Sequence, residues 1–367
     1  SILQLRRGGS RLVDAELIEL SDDQETFDDE LEARGWSDGL PAVPPTPERV
    51  ERMLAGADRA AGFELGVMPP KHGVVTVEAI AVNAVMAGCR PEHFAVVLTA
   101  IEAVLDPAFN LFAVQSTTHP CSPLIIVNGP IAAELGVNSR YGAFGPGHRA
   151  NATIGRAMRL ALLNVGGASP GVLDRSTQGQ PSKYSFCIAE NEAESPWEPL
   201  HIERGCQLGH SAVTVVGCEN PHNINDHVST AAEGILVTIA GSLADMGSNN
   251  AYLHGGPLLA LGPEHAAILG NEGLSKDDIR RYVYEHARVP SEIWERGGMA
   301  GMLDSPPATT DSMPIISRPE DLIVMVVGGF GRHSSWLPTF GASTQAVTRA
   351  ISNAAGDPIQ SVLDLRS

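Results

Sequence analysis

The sequence has no apolar run long enough to cross a lipid bilayer. A membrane-spanning helix needs about 18 to 20 consecutive apolar residues. The longest candidate runs in this chain are interrupted by Asn128 and Gly129, or by Gly241 and Ser242. We therefore predict that the chain does not cross a membrane.

Aromatic residues are also scarce, at 5% of the chain, whereas hydrophobic residues make up 43% and charged residues 19%. This composition is typical of a globular protein and does not favour extended disorder. With 367 residues, the chain is long enough for two domains of ordinary size, or for one large domain with an additional lobe.

Basic residues are few relative to acidic ones. The chain has 25 Lys and Arg residues against 43 Asp and Glu residues, which gives a formal net charge of −18. The average field of such a protein repels nucleic acids and anionic membrane surfaces. We predict neither as a partner, and a small anionic substrate would have to be bound in a local basic pocket.

The cysteines lack the spacing of a disulfide framework or a zinc-binding pair. Five are present, and they include no CxxC pair. We expect no secretory leader before them. An odd number at irregular spacing favours a reducing compartment. We therefore expect a cytoplasmic location, and we expect the chain to form a homo-oligomer.

Charge and the positions of proline and glycine divide the first hundred residues into segments. Residues 1–34 are predicted to form an acidic N-terminal arm, in which residues 21–34 form either a solvated arm or a peripheral helix. Four prolines make residues 35–47 extended, and Thr46 and Pro47 are predicted to begin a helix over residues 48–55. Residues 74–105 predict two helices separated at residues 88–90.

Short apolar strands that end in glycine recur four times along the chain. Residues 123–133 (PLIIVNGPIAA) and 257–267 (PLLALGPEHAA) share one order of Pro, Leu, apolar run, Gly-Pro and helix. Residues 212–222 and 322–335 contain the other two strands. We predict an α/β fold with mixed or parallel sheet layers and helices, and two related halves at residues 35–205 and 206–367. Ligands of such sheets bind at the carboxyl ends of the strands.

The segment 117–123 (TTHPCSP) carries the first catalytic candidates. It follows an apolar run at residues 111–114 that we predict to be a strand, and His119 and Cys121 then face the same way in an extended loop. A nearby imidazole lowers the pKa of a thiol and favours a thiolate nucleophile. The alternative is a buried structural cysteine.

A glycine-rich loop at residues 141–148 leads into a predicted helix that starts near residues 149–152. Arg149, Thr153 and Arg156 fall on one face of that helix, which together with the helix N-terminus predicts an anion site. Asn151 is included among the substrate-binding residues, and His148 is a candidate acid or base. A structural arginine network is the alternative, and no Walker A loop is present.

Two further segments contain side chains suited to metal binding or proton transfer. Residues 185–201 hold Cys187, Glu190, Glu192, Glu198 and His201, which predict a metal site, a tuned proton donor or simply a solvated face. The metal-ligand candidates are Cys218, Glu219, His222 and His254, with His119, His227 and His333 as further donors. Their spacing does not fit a closed structural zinc site.

The last strand unit ends in GGFGRHSSW, residues 328–336. Its glycines predict a tight loop that places Arg332 and His333 at the ligand edge of the sheet. We predict His333 as a catalytic residue, with Arg332 and Ser334 in contact with substrate. No G-x-S-x-G elbow is present, which argues against a Ser-His-Asp hydrolase.

Four segments together resemble an uncharacterised bacterial family associated with small UGSC-motif (seleno)proteins. They are GWSDGLPAVPPTPERVERML, VNAVMAGCRPEHF, GPGHRANATIGRAMRL and GGFGRHSSW, and the resemblance covers roughly residues 35–341. It implies a thiol-linked or selenol-linked enzyme system with a small thiol or selenol protein as partner. The chain has no UGSC tetrapeptide of its own, so the resemblance places no redox residue in it.

Three hypotheses of function follow from these patterns. In the first, the predicted anion site binds a small anionic molecule while Cys121, activated by His119 or His148, cleaves or adds across a carbon–heteroatom bond, as a lyase does. In the second, the chain is a metal-dependent hydrolase or lyase with a divalent metal as its cofactor. In the third, it is a non-catalytic partner subunit of a small thiol or selenol redox protein.

Overall fold

Two four-stranded sheets form the centre of the protein in a computed structural model, and helices cover the outer face of each sheet. The structure describes residues 2–5, 16–19, 23–297 and 311–366. The strands are β1 Ile2–Leu5, β2 Glu16–Glu19, β3 Glu64–Met68, β4 Gly73–Thr76, β5 Ser122–Asn128, β6 Cys187–Ala189, β7 Ala212–Cys218, β8 His222–Asn225, β9 Leu258–Leu261, β10 Arg288–Pro290, β11 Ser312–Pro314, β12 Ile323–Val326, β13 His333–Leu337 and β14 Val347–Ala350. This is the predicted α/β fold, with mixed parallel and antiparallel sheets.

The helices lie between the strands along most of the chain. They are α1 Gln24–Ala33, α2 Pro47–Leu54, α3 Val77–Ala87, α4 Phe94–Val104, α5 Leu111–Ser116, α6 Pro130–Glu134, α7 Arg149–Asn164, α8 Leu200–Glu203, α9 Ala232–Leu243, α10 Asn250–Leu253, α11 Pro263–Asn271, α12 Lys276–His286 and α13 Ser291–Arg296. The predicted starts of α2 and α7 and the break between α3 and α4 are confirmed. Among the described residues, no helix combines the length and the apolarity that a membrane span requires.

Alternate residues of each central strand contribute to different layers of the core. In β5, Leu124 and Ile126 pack between the two sheets, against residues such as Met325 of the second sheet. Ile125 and Val127 point the other way, into the layer formed with α3, α4 and α7. Full burial of one such side chain stabilises the fold by about 1.5–3 kcal/mol. Burial on both faces explains why these strands read as continuous apolar runs.

The two sheets have the same strand arrangement. The first has the order β14-β7-β5-β6, in which β5 is parallel to β6 and antiparallel to β7. The second has the order β12-β9-β13-β8, in which β9 is parallel to β12 and antiparallel to β13. Strands β5 and β9, which carry the repeated Pro-Leu-Gly-Pro pattern, therefore occupy equivalent places. Both β7 and β14 belong to the first sheet, so the sheets do not divide at residue 206.

The equivalence extends to the glycines that end β5 and β9. A Cβ atom on Gly129 would lie 2.5 Å from the carbonyl oxygen of His210, and one on Gly262 would lie 2.1 Å from that of His333. Each of these histidines precedes a buried serine, Ser211 or Ser334, whose hydroxyl accepts a backbone N–H from the Gly-Pro turn. At both positions another backbone segment approaches so closely that a residue with a side chain would not fit, and glycine is therefore required.

The prediction of a strand at residues 111–114 is wrong, because these residues begin helix α5. Asn110 has a positive φ of 53°, and its side chain accepts a hydrogen bond from the N–H of Ala113, which caps the helix. Four apolar residues are too few to distinguish a strand from a buried helical turn by periodicity. The loop that carries His119 and Cys121 therefore follows a helix.

Candidate functional site

A cluster of buried polar side chains lies at the carboxyl ends of the parallel strands β5 and β6. Asn128 is the last residue of β5, and Glu190 directly follows β6. Glu192 lies in the next turn, and His201 lies in α8. Asn128, Glu190 and His201 are each less than 5% exposed. The edge predicted to bind ligands thus holds titratable groups that are removed from water.

Asn128 holds the two carboxylates together. Its amide nitrogen donates to Glu190 Oε2 at 2.6 Å and to Glu192 Oε1 at 2.9 Å. The backbone N–H of Leu200 donates to the same oxygen of Glu190 at 2.8 Å, and that of Gly129 donates to Glu192 Oε1 at 2.7 Å. One oxygen of each carboxylate is therefore fixed by two donors.

Three other polar atoms of the cluster have no hydrogen-bond partner among the described residues. They are Glu190 Oε1, Asn128 Oδ1 and His201 Nδ1, and all three are buried. Leaving a buried polar atom unpaired costs about 1–3 kcal/mol. Such atoms are rare in native proteins, and each calls for an explanation such as strain, a catalytic role, or an ordered water or ion.

Burial also changes the protonation of these groups. Loss of hydration raises the pKa of Glu190 to about 7, although the charge of Lys276 and the donors described above oppose the shift. Burial lowers the pKa of His201, against the attraction of Glu192 and a hydrogen bond with the backbone of His210. At neutral pH the site therefore combines a carboxyl group close to half-ionised with a neutral imidazole, a pairing suited to acid–base chemistry.

Two members of the cluster, Glu190 and Glu192, line a groove of about 450 Å³. Arg140 and His148 lie in the lining of the same groove; the Arg140 side chain is 61% exposed and lies 3.2 Å from Glu194. His148 is the N-cap residue of the 16-residue helix α7, and its side chain makes no capping hydrogen bond. Because a helix N-terminus and an arginine both favour negative charge, this part of the groove suits an anionic group.

The thiol of Cys121 is not arranged for nucleophilic attack. The side chain is fully buried, its sulfur lies 3.9 Å from the carbonyl oxygen of Val114, and burial raises its pKa to about 12. His119 does not face the sulfur: its Nδ1 accepts the backbone N–H of Cys121, and its Nε2 lies 2.8 Å from Glu219 Oε1. The structure therefore does not support activation of Cys121 by His119.

We expect Cys206 to be the first cysteine to react with iodoacetamide in the folded protein. It is partly exposed, whereas Cys89, Cys121, Cys187 and Cys218 are buried. Burial raises the pKa of all five thiols, so access to the reagent decides which reacts first. Mass spectrometry of the native protein should find alkylation at Cys206, with the four others modified after denaturation. Rapid native labelling of Cys121 would contradict this and would favour the thiol hypothesis.

The predicted anion face of α7 is occupied by structural contacts. Arg156 binds both carboxylate oxygens of Asp38 at 2.8 Å and also the carbonyls of Leu40 and Pro41. The remaining predicted residues bind backbone or neighbouring side chains: Arg149 donates to Gly88 O, Thr153 donates to Arg149 O, and Asn151 is buried against Asn138 and Ala143. The prediction that this face binds substrate is not supported, and the alternative of an arginine network fits.

The four predicted metal ligands do not come together. Cys218 is buried between the sheets, Glu219 contacts His119, and the His222 ring packs against Trp336. His254 is half-buried, and burial lowers its pKa. Within the described ranges, no three His, Cys, Asp or Glu side chains form a group that fits a metal ion. A metal centre with these ligands is therefore not seen.

The three residues predicted at the end of the last strand unit, Arg332, His333 and Ser334, do not form a common site. Arg332 donates to the carbonyl of Ser229 at 2.7 Å. The Ser334 hydroxyl is buried 2.8 Å from His265 Nδ1 and accepts the N–H of Gly262. His333 is exposed and lies against His227. Of all the predicted catalytic and substrate-binding residues, His148 is the one that lines the groove beside Glu190.

Among the sequence predictions, Glu190 and His201 appear only as members of an acidic segment, and Asn128 is not a candidate. The signal for Asn128 was present, since it is the one polar residue between an apolar strand and a Gly-Pro turn. Family models, curated proteins and solved structures give no match to this chain. The assignment of the site therefore rests on its own geometry, at the carboxyl edge of β5 and β6.

Proposed function

We propose that the protein is an acid–base enzyme that acts on a small anionic molecule in the groove beside Glu190. The observation that carries the proposal is the buried carboxyl group of Glu190, with a pKa of about 7 and one oxygen that has no hydrogen bond. The buried imidazole of His201 belongs to the same cluster, and its Nδ1 lies 3.9 Å from Glu192 Oε1. A general acid or base is most effective when its pKa lies near the working pH.

Each part of the groove has a role in this proposal. Arg140 and the start of α7 bind the negative charge of the substrate. Ionised Glu190 accepts a proton from a carbon atom of the bound molecule, and the C–H electron pair displaces a leaving group from the adjacent carbon. In the reverse addition, protonated Glu190 returns the proton. Asn128 fixes Glu190 Oε2. The proton is carried by Oε1, a buried atom that the bound molecule must reach from the groove.

This reaction keeps the class expected from the sequence, carbon–heteroatom bond cleavage or addition, but assigns it to a carboxyl group in place of a thiol. The buried thiol of Cys121 has no part in it, because its pKa of about 12 keeps it protonated at neutral pH. The small thiol or selenol protein implied by the sequence resemblance stays a prediction, as do a cytoplasmic location and a homo-oligomer.

We expect Glu190→Gln to lose proton transfer, with turnover reduced by about 10²–10⁴-fold. The test incubates the full chain with a panel of small hydroxy, amino and thio carboxylic acids in D₂O. Deuterium incorporation and loss of a leaving group are followed by proton NMR. Glutamine keeps the size of the side chain and the acceptor for Leu200 but cannot carry the proton.

Cys121→Ala is the matched control, and we expect it to retain wild-type turnover. Full activity in Glu190→Gln, or loss of activity in Cys121→Ala with the fold intact by circular dichroism, would reject the proposal in favour of thiol chemistry. A folded wild-type protein that exchanges no proton with any acid of the panel would count against an acid–base enzyme of this substrate class.

A further inference from the structure

Two exposed histidines face each other at the carboxyl edge of the second sheet. His333 is the first residue of β13, and His227 follows strand β8. Their Nε2 atoms are 3.0 Å apart, and their rings meet edge to face with centroids 4.8 Å apart. This pair is not part of the groove beside Glu190.

A neighbouring side chain fixes the orientation of one ring. His333 Nδ1 lies 2.9 Å from Asn223 Oδ1. An amide oxygen only accepts hydrogen bonds, so this contact favours the tautomer in which Nδ1 of His333 carries the proton and Nε2 keeps its lone pair. His227 Nε2 then carries the proton of the contact between the two rings, and this proton moves to Nδ1 of His227 when a metal ion binds. Histidines that bind metals usually donate their second N–H to an oxygen atom in this way.

The backbone on both sides of the pair is held in place. Strands β8 and β13 are paired in register, with His333 opposite Asn225. The turn that carries His227 is fixed by Asp226, whose carboxylate accepts the N–H groups of Val228 and Ser229 and the hydroxyl of Thr238. The backbone positions of both histidines are therefore fixed, His333 by the strand pairing and His227 by the hydrogen bonds of the turn.

We propose that His227 and His333 form a two-histidine binding site for a borderline divalent transition metal ion. Two nitrogens that each lie about 2.1 Å from an ion, at roughly a right angle, are about 3 Å apart. Imidazole nitrogens select Cu²⁺, Ni²⁺ and Zn²⁺ over Mg²⁺ and Ca²⁺, which prefer oxygen, and Cu²⁺ binds most tightly.

The site differs from the four-ligand centre expected from the sequence. No third His, Cys, Asp or Glu joins the pair within the described part of the chain. The other coordination positions are therefore left to water or to an exchangeable ligand. An ion held in this way is open to solvent, in contrast to the closed zinc sites that stabilise small domains.

The experiment titrates the metal-free full chain with CuCl₂ in a calorimeter and repeats the titration with NiCl₂ and MgCl₂. We expect one site that binds Cu²⁺ more tightly than Ni²⁺ and does not bind Mg²⁺. His227→Ala and His333→Ala should each abolish that site. Asn223→Ala removes the acceptor that orients His333 and should weaken Cu²⁺ binding by about 10–100-fold.

His222→Ala is the matched control, because His222 is an exposed histidine on β8 whose ring packs on Trp336. It should bind Cu²⁺ as the wild type does, and so should Glu190→Gln, which separates this inference from the proposed function. Electron paramagnetic resonance of the Cu²⁺ complex should show nitrogen hyperfine structure that both alanine variants lose. Unchanged Cu²⁺ affinity in His227→Ala or His333→Ala would show that the pair is only a hydrogen bond.

Discussion

Replacing Glu190 with glutamine is expected to stabilise the protein by about 3 kcal/mol above neutral pH, because each unit of pKa shift corresponds to about 1.4 kcal/mol. The folded-state pKa is about 7, compared with an ordinary value of 4.5. The same substitution that removes turnover therefore makes the fold more stable. A residue kept for packing alone would not show this combination.

The sign follows from where the proton is held. The folded protein binds the Glu190 proton more tightly than the unfolded chain does, since ionisation in the buried cluster loses hydration. Below pH 4.5 the carboxyl is protonated in both states and no penalty applies. As the pH rises toward 7, the unfolded chain ionises first, and the wild type loses stability until the folded carboxyl has ionised too. Glutamine has no such loss.

The measurement is denaturant unfolding of both proteins across this pH range. The difference in unfolding free energy should be near zero below pH 4.5 and should reach its maximum above pH 7. Glu285→Gln is the matched control, because Glu285 is exposed on α12, and its difference from the wild type should stay flat. A flat difference for Glu190→Gln would mean that its carboxyl titrates normally, and the acid–base proposal would lose its main support.

The central strands were predictable because their signal is local. The repeated pattern of Pro, Leu, apolar run and Gly-Pro predicted β5 and β9, and the turn after each strand predicted the helix start. Helix α7 was likewise predictable from its glycine-rich approach. In these segments, burial on both faces requires an apolar run, and a close backbone contact requires a glycine. Both features can be recognised within a dozen consecutive residues.

The partners of the polar side chains were not predictable from local spacing. Asn128 and Glu190 are 62 residues apart, and Asp38 and Arg156 are 118 apart. The local spacing predicts His119 beside the Cys121 thiol, because residues i and i+2 share a side of an extended chain. In the structure Glu219, from another strand end, binds the imidazole instead. The pairing of β5 with β6 brings Asn128 to Glu190, and packing of the loop at residue 38 on α7 brings Asp38 to Arg156, so no short window of sequence contains these contacts.

Asp38→Ala is expected to destabilise the protein by about 3–5 kcal/mol, the usual effect of removing one partner from a buried ion pair. The Asp38 side chain is 2% exposed and the Arg156 side chain is 14% exposed, and two hydrogen bonds of 2.8 Å join them. The guanidinium left behind would keep the carbonyls of Leu40 and Pro41 but lose its counter-charge. Chemical denaturation at neutral pH measures the change.

The double variant Asp38→Ala with Arg156→Met tests whether the penalty comes from the unpaired charge. Because a buried ion pair is often replaced by apolar side chains at little cost, the double variant should recover much of the stability that Asp38→Ala loses. Arg149→Ala is the control, since the side chain of this exposed arginine of the same helix donates to the Gly88 carbonyl and has no carboxylate partner among the described residues. If Asp38→Ala lowers the free energy of unfolding no more than Arg149→Ala does, the Asp38–Arg156 pair does not stabilise the fold. The anion-binding role predicted for Arg156 would then again be open.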